Sequence, residues 1–471
     1  MSRWPPSFLV LAVWAVIYLP ALGSLEIKGE EGRRILPAMA MLQSGNYLVP
    51  QVGSDVYFTK PPLVNWLVAA SIKLSGVRSE WTVRLPSALA ILLVALVFIS
   101  VGRQGLGRAG AVIGALTWLT TIGIIEKGRL IEIEAIYVSL CAVAIICWLS
   151  WWRAKRSPWL TWTVPWIWLG LGWLAKGPVH LIFFYAVVLA VLWQARQLKT
   201  LFHPAHFVGI IIMLAIFAAW AIPFLQTSGQ GRGLTKWSAQ FTGRSNPQLF
   251  NLRTSFSTLI RAIGQFLPWL IFVPLLRFKR FENEDDRRLA KALAWSVAVP
   301  LVAVSILPVS APRYSLPVAA PLCWLMALTF SADAFAGLKW ERWRQSTGRS
   351  VGWPIVAIVA LGALTTFLVQ AYRPNQHDKV KSVARQVNAE VPAGETLYAV
   401  DPGYQPFLFY VQAPVKYVGG LNEVPGSAHC FFVRGKREEE VTRNEQWARR
   451  TKAVWRISDY RNEAITLFRV D

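Results

Sequence analysis

Charged side chains are scarce in this chain of 471 residues, 16% of the total, yet several gather in short clusters. Glu30 and Glu31 precede Gly32, Arg33 and Arg34; Lys60 precedes Pro61 and Pro62; the stretch Glu126 to Glu134 also holds Lys127, Arg129 and Glu132; Lys176 precedes Gly177 and Pro178; Arg313 precedes Tyr314. Any one of these groups reads as a solvated helix end. Together they suggest chemistry: a carboxylate at a bilayer edge can act as a general base, and cations beside an apolar groove can hold the phosphate of a lipid. Pro61 and Pro62 fix the backbone path just after Lys60. Cys141, Cys147, Cys323 and Cys430 have neither metal-ligand spacing nor a disulfide pattern, and the first three lie in apolar runs as small hydrophobes. No metal site and no cofactor is expected.

The elements that position these residues are apolar. The chain is 54% hydrophobic, has a mean hydropathy of +0.39 and carries 24 Trp and 24 Phe. That is too apolar for a soluble globular domain, and it excludes disordered, collagen-like and disulfide-framework proteins. Runs able to span a bilayer as helices occur at 8–22, 85–101, 109–125, 135–152, 160–175, 179–193, 207–225, 259–276, 289–307, 315–330 and 351–371, giving about eleven spans. With a cytoplasmic N-terminus, every inner loop is basic: Arg103 and Arg108, then Arg153 to Arg156, Arg196 and Lys199, Arg277 to Arg288, and Lys339 to Arg349. A net charge of +23 therefore marks orientation, and no nucleic-acid partner is expected. The apolar stretch Leu63 to Leu74 is short and suits an interfacial helix; as an extra span it would invert every later loop.

The segment 24–84 is then a first extracytoplasmic loop within a transmembrane domain, 1–372. The tail, 373–471, alternates polar and apolar residues around Glu395 to Val400, Phe407 to Val411 and Cys430 to Val433, and Val380, Val383, Ala384 and Val387 share a helix face. A polytopic α-helical membrane protein with a small extracytoplasmic α/β domain is predicted.

The motifs occur in an order that resembles the GT-C class of membrane glycosyltransferases, within it the dolichyl-phosphate-mannose protein mannosyltransferases and the bacterial aminoarabinose transferases that modify lipid A. They are Glu30-Glu-Gly-Arg33, Ser44-Gly-Asn-Tyr-Leu-Val-Pro50, Phe58-Thr-Lys-Pro-Pro-Leu63, Val83-Arg-Leu-Pro-Ser-Ala-Leu89, Lys176-Gly-Pro178 and Arg313-Tyr-Ser-Leu-Pro317. The resemblance implies a GT-C fold in the inner (plasma) membrane, a polyprenyl-phosphate-linked sugar as donor and an unidentified acceptor, whether lipid, polysaccharide or protein. It implies hexosyl or pentosyl transfer at the outer face. Glu30 takes the place of the family's catalytic aspartate, with Glu31 its neighbouring rival, and Glu134 that of a second acid, rivalled by Glu132. Lys60 matches the lysine on the donor phosphate, and Arg313, Tyr314, Lys176 and Arg33 are assigned to the same phosphate region.

Both acids are Glu where the family uses Asp, so each side chain is a methylene longer; about 1 Å of displacement at a reacting group costs roughly a hundredfold in rate. The stretch Trp237 to Asn246 also departs from the lipid A transferase pattern, which points to a different acceptor. The competing reading is a transporter or flippase of lipid-linked saccharides. Such proteins often carry inverted repeats and mid-depth charges, whereas here the charges collect at one face.

Overall fold

The computed structural model describes residues 5–27, 29–52, 55–56, 60–228, 251–308, 310–335, 352–372, 379–391, 394–458 and 464–470. Phe58, Thr59, the stretch Trp237 to Asn246 and the basic group Lys339 to Arg349 lie outside the described residues. Two compact units are formed, one from 1–20, 84–223 and 234–368, the other from 21–83, 224–233 and 369–471.

The first unit is helical, and the described residues of the eleven apolar runs fall mostly on helix, with breaks at 19–22, 120–121 and 266–268. Among the described residues five helices are long and apolar enough to cross a membrane, and a sixth span results if the Leu252–Gln265 helix and the Trp269–Leu275 turn, bent by 100°, count as one. Four shorter apolar helices include Pro6–Tyr18 and His180–Gln194. The run at 85–101 and the first part of that at 109–125 form one stretch, Glu80–Leu119, broken where Gly107 takes a φ of +71°, and the remainder enters a separate helix, Ile122–Gly128.

The Ile133–Arg153 helix lies wholly inside the unit. It is apolar around its whole circumference, the pattern of a buried helix, and Ala135, Ser139, Ala142 and Ala144 let neighbours approach closely. Against it packs an aromatic layer in which the Trp148 ring meets those of Trp162 and Phe184 at 5.7 and 6.5 Å. Gly209 is required where the next helix crosses, since a Cβ there would lie 2.2 Å from Trp166.

In the second unit a two-residue hairpin, β1 (Gln51–Val52) with β2 (Asp55–Val56), accompanies a five-stranded mixed sheet. The sheet comprises β3 (Leu397–Val400), β4 (Val415–Val418), β5 (Cys430–Arg434), β6 (Thr451–Ser458) and β7 (Ala464–Val470), in the order β4-β3-β5-β7-β6. β4, β3 and β5 are parallel, while β5, β7 and β6 are antiparallel. Val400, Val418, Phe431, Val433, Trp447 and Phe468 fill one core. The Lys379–Glu390 helix buries Val380, Val383, Ala384 and Val387, the face that the sequence pattern predicts.

The strand expected at Phe407 to Val411 is instead a 3₁₀ helix, Pro406–Tyr410. Pro406 starts it with a fixed φ, and Phe407, Leu408 and Phe409 are all buried, which a strand with one wet face would not allow. Glu26 ties the first segment to the tail: its carboxylate accepts the backbone N–H groups of Val380 and Lys381 at 2.9 and 3.1 Å, at the start of the Lys379–Glu390 helix. The Tyr410 hydroxyl accepts from the Ile27 N–H at 2.6 Å and donates to Glu80 at 3.1 Å.

Candidate active site

In the first unit the Pro158–Ala175 helix stops at Lys176. Gly177 has a φ of +131°, which a side chain would resist, and Pro178 cannot continue a helix, so the Lys-Gly-Pro motif is first a terminator that presents Lys176. The Lys176 ammonium sits 3.2 Å from Oε1 of Glu134, in the first turn of the Ile133–Arg153 helix, where a carboxylate also meets the positive end of the helix dipole. Arg313, on the Pro312–Val318 3₁₀ helix, places Nε 3.2 Å from the same oxygen. Lys176 lies 4.7 Å from the centre of the Tyr314 ring and 5.0 Å from that of Tyr137, within cation–π range. Glu134, Lys176, Arg313 and Tyr314 are thus brought together from three separate parts of the chain.

Two cations thus meet one carboxylate oxygen. The Glu134 side chain is 9% exposed and Lys176 14%, whereas Arg313 is 37% exposed. Pairing makes the burial of Glu134 tolerable. Beside this group, Lys127 bridges Glu126 at 2.9 Å and Glu132 at 3.0 Å. Burial pushes the Glu132 carboxyl above the usual carboxylate range, and the Lys127 ammonium opposes that rise.

In the second unit Glu30 accepts from Arg33 at 3.0 and 3.2 Å and lies 3.6 Å from Arg34. Glu31 is buried, whereas the Glu30 side chain is 38% exposed. Lys60 stands just before the Leu63–Ser75 helix, and Asn65 of that helix donates to the Arg34 carbonyl at 2.8 Å, joining it to the Gly32–Ser44 helix. Arg33 engages the carboxylate of Glu30, one turn away. Among the described residues no group of three or more His, Cys, Asp or Glu could hold a metal ion.

The family model described as dolichyl-phosphate-mannose-protein mannosyltransferase matches residues 59–222, a stretch holding Lys60, Glu134 and Lys176. An undecaprenyl phosphate-α-4-amino-4-deoxy-L-arabinose arabinosyl transferase of Pseudomonas savastanoi is 26% identical over 420 residues, 87% of this chain and 75% of that one. Its namesake in Photorhabdus laumondii is 25% identical over 79% of this chain and 67% of its own. The crystal structure of ArnT from Cupriavidus metallidurans bound to undecaprenyl phosphate superposes with a TM-score of 0.72 at 18% identity, covering 98% of this chain and 97% of the other. The chain has the GT-C fold of that transferase.

In this GT-C fold the inner cluster involves residues that carried no assigned role in the sequence. Tyr137 flanks Lys176 one turn beyond Glu134, a spacing that could have marked it. Arg129, quoted within a motif, turns out to be structural: its guanidinium donates to the carbonyls of Ile17, Tyr18 and Pro20 at 3.0, 2.8 and 2.5 Å, closing the end of the first helix. His180 ties the Gly177 carbonyl, at 2.9 Å, to that of Leu169, at 2.8 Å, and so anchors the turn carrying Lys176. No local sequence signal links His180 to Leu169.

Proposed function

We propose that the enzyme moves a sugar from a polyprenyl-phosphate-linked donor to an acceptor at the extracytoplasmic face of the inner membrane. The observation that carries this reading is the convergence of Lys176 and Arg313 on one oxygen of Glu134. In this reading an acceptor oxygen attacks the anomeric carbon, the bond from that carbon to the phosphate oxygen breaks, and polyprenyl phosphate departs with the electron pair. Lys176, Arg313 and Lys60 stabilise the charge that develops on the phosphate, more strongly in the transition state than before it. Tyr314 fixes Lys176 by cation–π contact, and Arg33 orients Glu30. The acceptor proton passes to a carboxylate. Glu30 is assigned that role over Glu31 because it is the exposed member of the pair; Glu134 holds the two cations.

The basic inner loops support a cytoplasmic N-terminus and an outer tail domain, 373–471. The arabinosyl transferase relatives favour a pentosyl over a hexosyl donor. The test is purified enzyme in nanodiscs with an undecaprenyl-phosphate-linked aminoarabinose or hexose, plus membrane extract as acceptor, following release of undecaprenyl phosphate. Wild type is expected to release it, and Glu30→Ala or Lys60→Ala to abolish release. Full activity in both variants overturns the site assignment, and no turnover with either donor overturns the function.

A further inference from the structure

Glu30 rides on a short 3₁₀ turn, Gly29–Glu31, and the residues on either side of that turn are held by the tail. Before it, the N–H of Ile27, a wholly buried residue, donates to the Tyr410 hydroxyl at 2.6 Å. After it, Gly32 lies so close to the tail that a Cβ there would stand 2.9 Å from the Tyr404 carbonyl oxygen and 3.3 Å from Cγ of Pro406. Gly32 begins a helix and has no positive φ, so its backbone conformation does not call for glycine; the approach of Tyr404 does. The glycine of the Glu-Glu-Gly-Arg motif is thus accounted for by the tail. One stretch, 404–410, fixes the chain on both flanks of Glu30.

That stretch is itself pinned. Asn388, on the Lys379–Glu390 helix, donates to the Tyr410 carbonyl at 3.2 Å and accepts the Gln412 N–H at 2.9 Å. Arg78 donates to the Val411 carbonyl at 2.7 Å. The Tyr410 hydroxyl, having accepted from Ile27, donates to Oε1 of Glu80 at 3.1 Å, and Lys381 reaches the same oxygen at 2.6 Å. The Tyr410 hydroxyl therefore has its donor and an acceptor site engaged, by groups from two other parts of the chain. We infer that the tail is a positioning element for the Glu30 carboxylate, with Tyr410 a positioning residue of the transfer reaction. The inference rests on the assignment of Glu30 as proton acceptor and gives the tail a part in the reaction exerted through that residue. A reacting group displaced by about 1 Å loses roughly a hundredfold in rate, so the fixing of residues 27–32 bears on turnover.

The test uses the full chain in nanodiscs with an undecaprenyl-phosphate-linked aminoarabinose or hexose as donor and membrane extract as acceptor, reading kcat and donor KM from release of undecaprenyl phosphate. Tyr410→Phe keeps the ring and loses both hydroxyl bonds. Its kcat is expected to fall about tenfold to a hundredfold while donor KM stays within about twofold, since Lys176 and Arg313 belong to the first unit. Gly32→Ala should lower kcat in the same way by pressing on Tyr404. Amide exchange over residues 26–36 should rise in both variants. Val433→Ala, which thins the tail core formed with Val400, Trp447 and Phe468, serves as the comparison for lost stability: Tm should fall while kcat per folded molecule stays that of wild type. Wild-type kcat in Tyr410→Phe and Gly32→Ala, with release abolished in Glu30→Ala, overturns the inference and leaves the Glu30 assignment standing. A kcat loss in Val433→Ala equal to that in Tyr410→Phe also overturns it, since the role would then be structural alone. Full release by Glu30→Ala overturns the assignment, and the inference with it.

Discussion

Glu134 accepts from both Lys176 and Arg313, so its charge sets how strongly those cations attract a phosphate. Glu134→Gln removes one negative charge and leaves both donors. Undecaprenyl phosphate should bind this variant at least as tightly as wild type, while Arg313→Ala binds it about tenfold more weakly, as loss of a charged hydrogen bond implies. Equilibrium binding in nanodiscs checks the two together, and weaker binding by Glu134→Gln would refute the arrangement. Glu132 offers a pH test. Burial raises its carboxyl, so the folded state holds the proton more tightly than the unfolded chain. Its cost to stability is absent below the unfolded pKa of about 4.5, grows as pH rises through the raised value, and is constant above it. Thermal unfolding of Glu132→Gln should therefore depend less on pH above the unfolded carboxylate pKa. The grouping of Glu134, Lys176 and Arg313 was legible only through family resemblance, because 42 residues separate the first two and no periodicity reaches that far.

Helices were the most legible elements, since an apolar run long enough for a bilayer leaves little choice but helix. What the pattern missed is where chemistry within a run changes the backbone. Alternation at Phe407 to Val411 imitates a strand, but the Pro406 start and three successive buried side chains produce a 3₁₀ turn. Arg129 shows the same limit for charge: a cation within an acidic cluster reads as a site residue, yet it satisfies three backbone carbonyls at the end of the Pro6–Tyr18 helix. Arg129→Ala should cost about 2 to 4 kcal/mol of stability, through orphaned carbonyls and lost charged bonds. Tm in detergent should fall, while KM for donor in the folded fraction stays unchanged. Gly209→Leu should be worse tolerated than Gly264→Leu, since only the first meets Trp166; expression and unfolding temperature give the comparison.

For the whole molecule the net charge of +23 is informative because it is uneven. With inner loops basic, Lys155→Cys should react with a membrane-impermeant maleimide only after spheroplasts are permeabilised, whereas Glu439→Cys, 77% exposed in the tail, reacts in intact ones. The four native thiols are buried and add little background. The reverse labelling pattern would invert the topology. A different consequence follows from Glu26, whose carboxylate bonds to the N–H of Val380, 354 residues later. At about 5 to 20 residues per second, synthesis of the intervening chain takes roughly 20 to 70 s. Throughout that interval the segment carrying Glu26, Glu30 and Lys60 has been made but its partner helix has not. Assembly of the second unit is therefore a late event in biogenesis, and a nascent chain arrested before Lys379 would leave Glu26 and Ile27, buried in the complete chain, open to proteases.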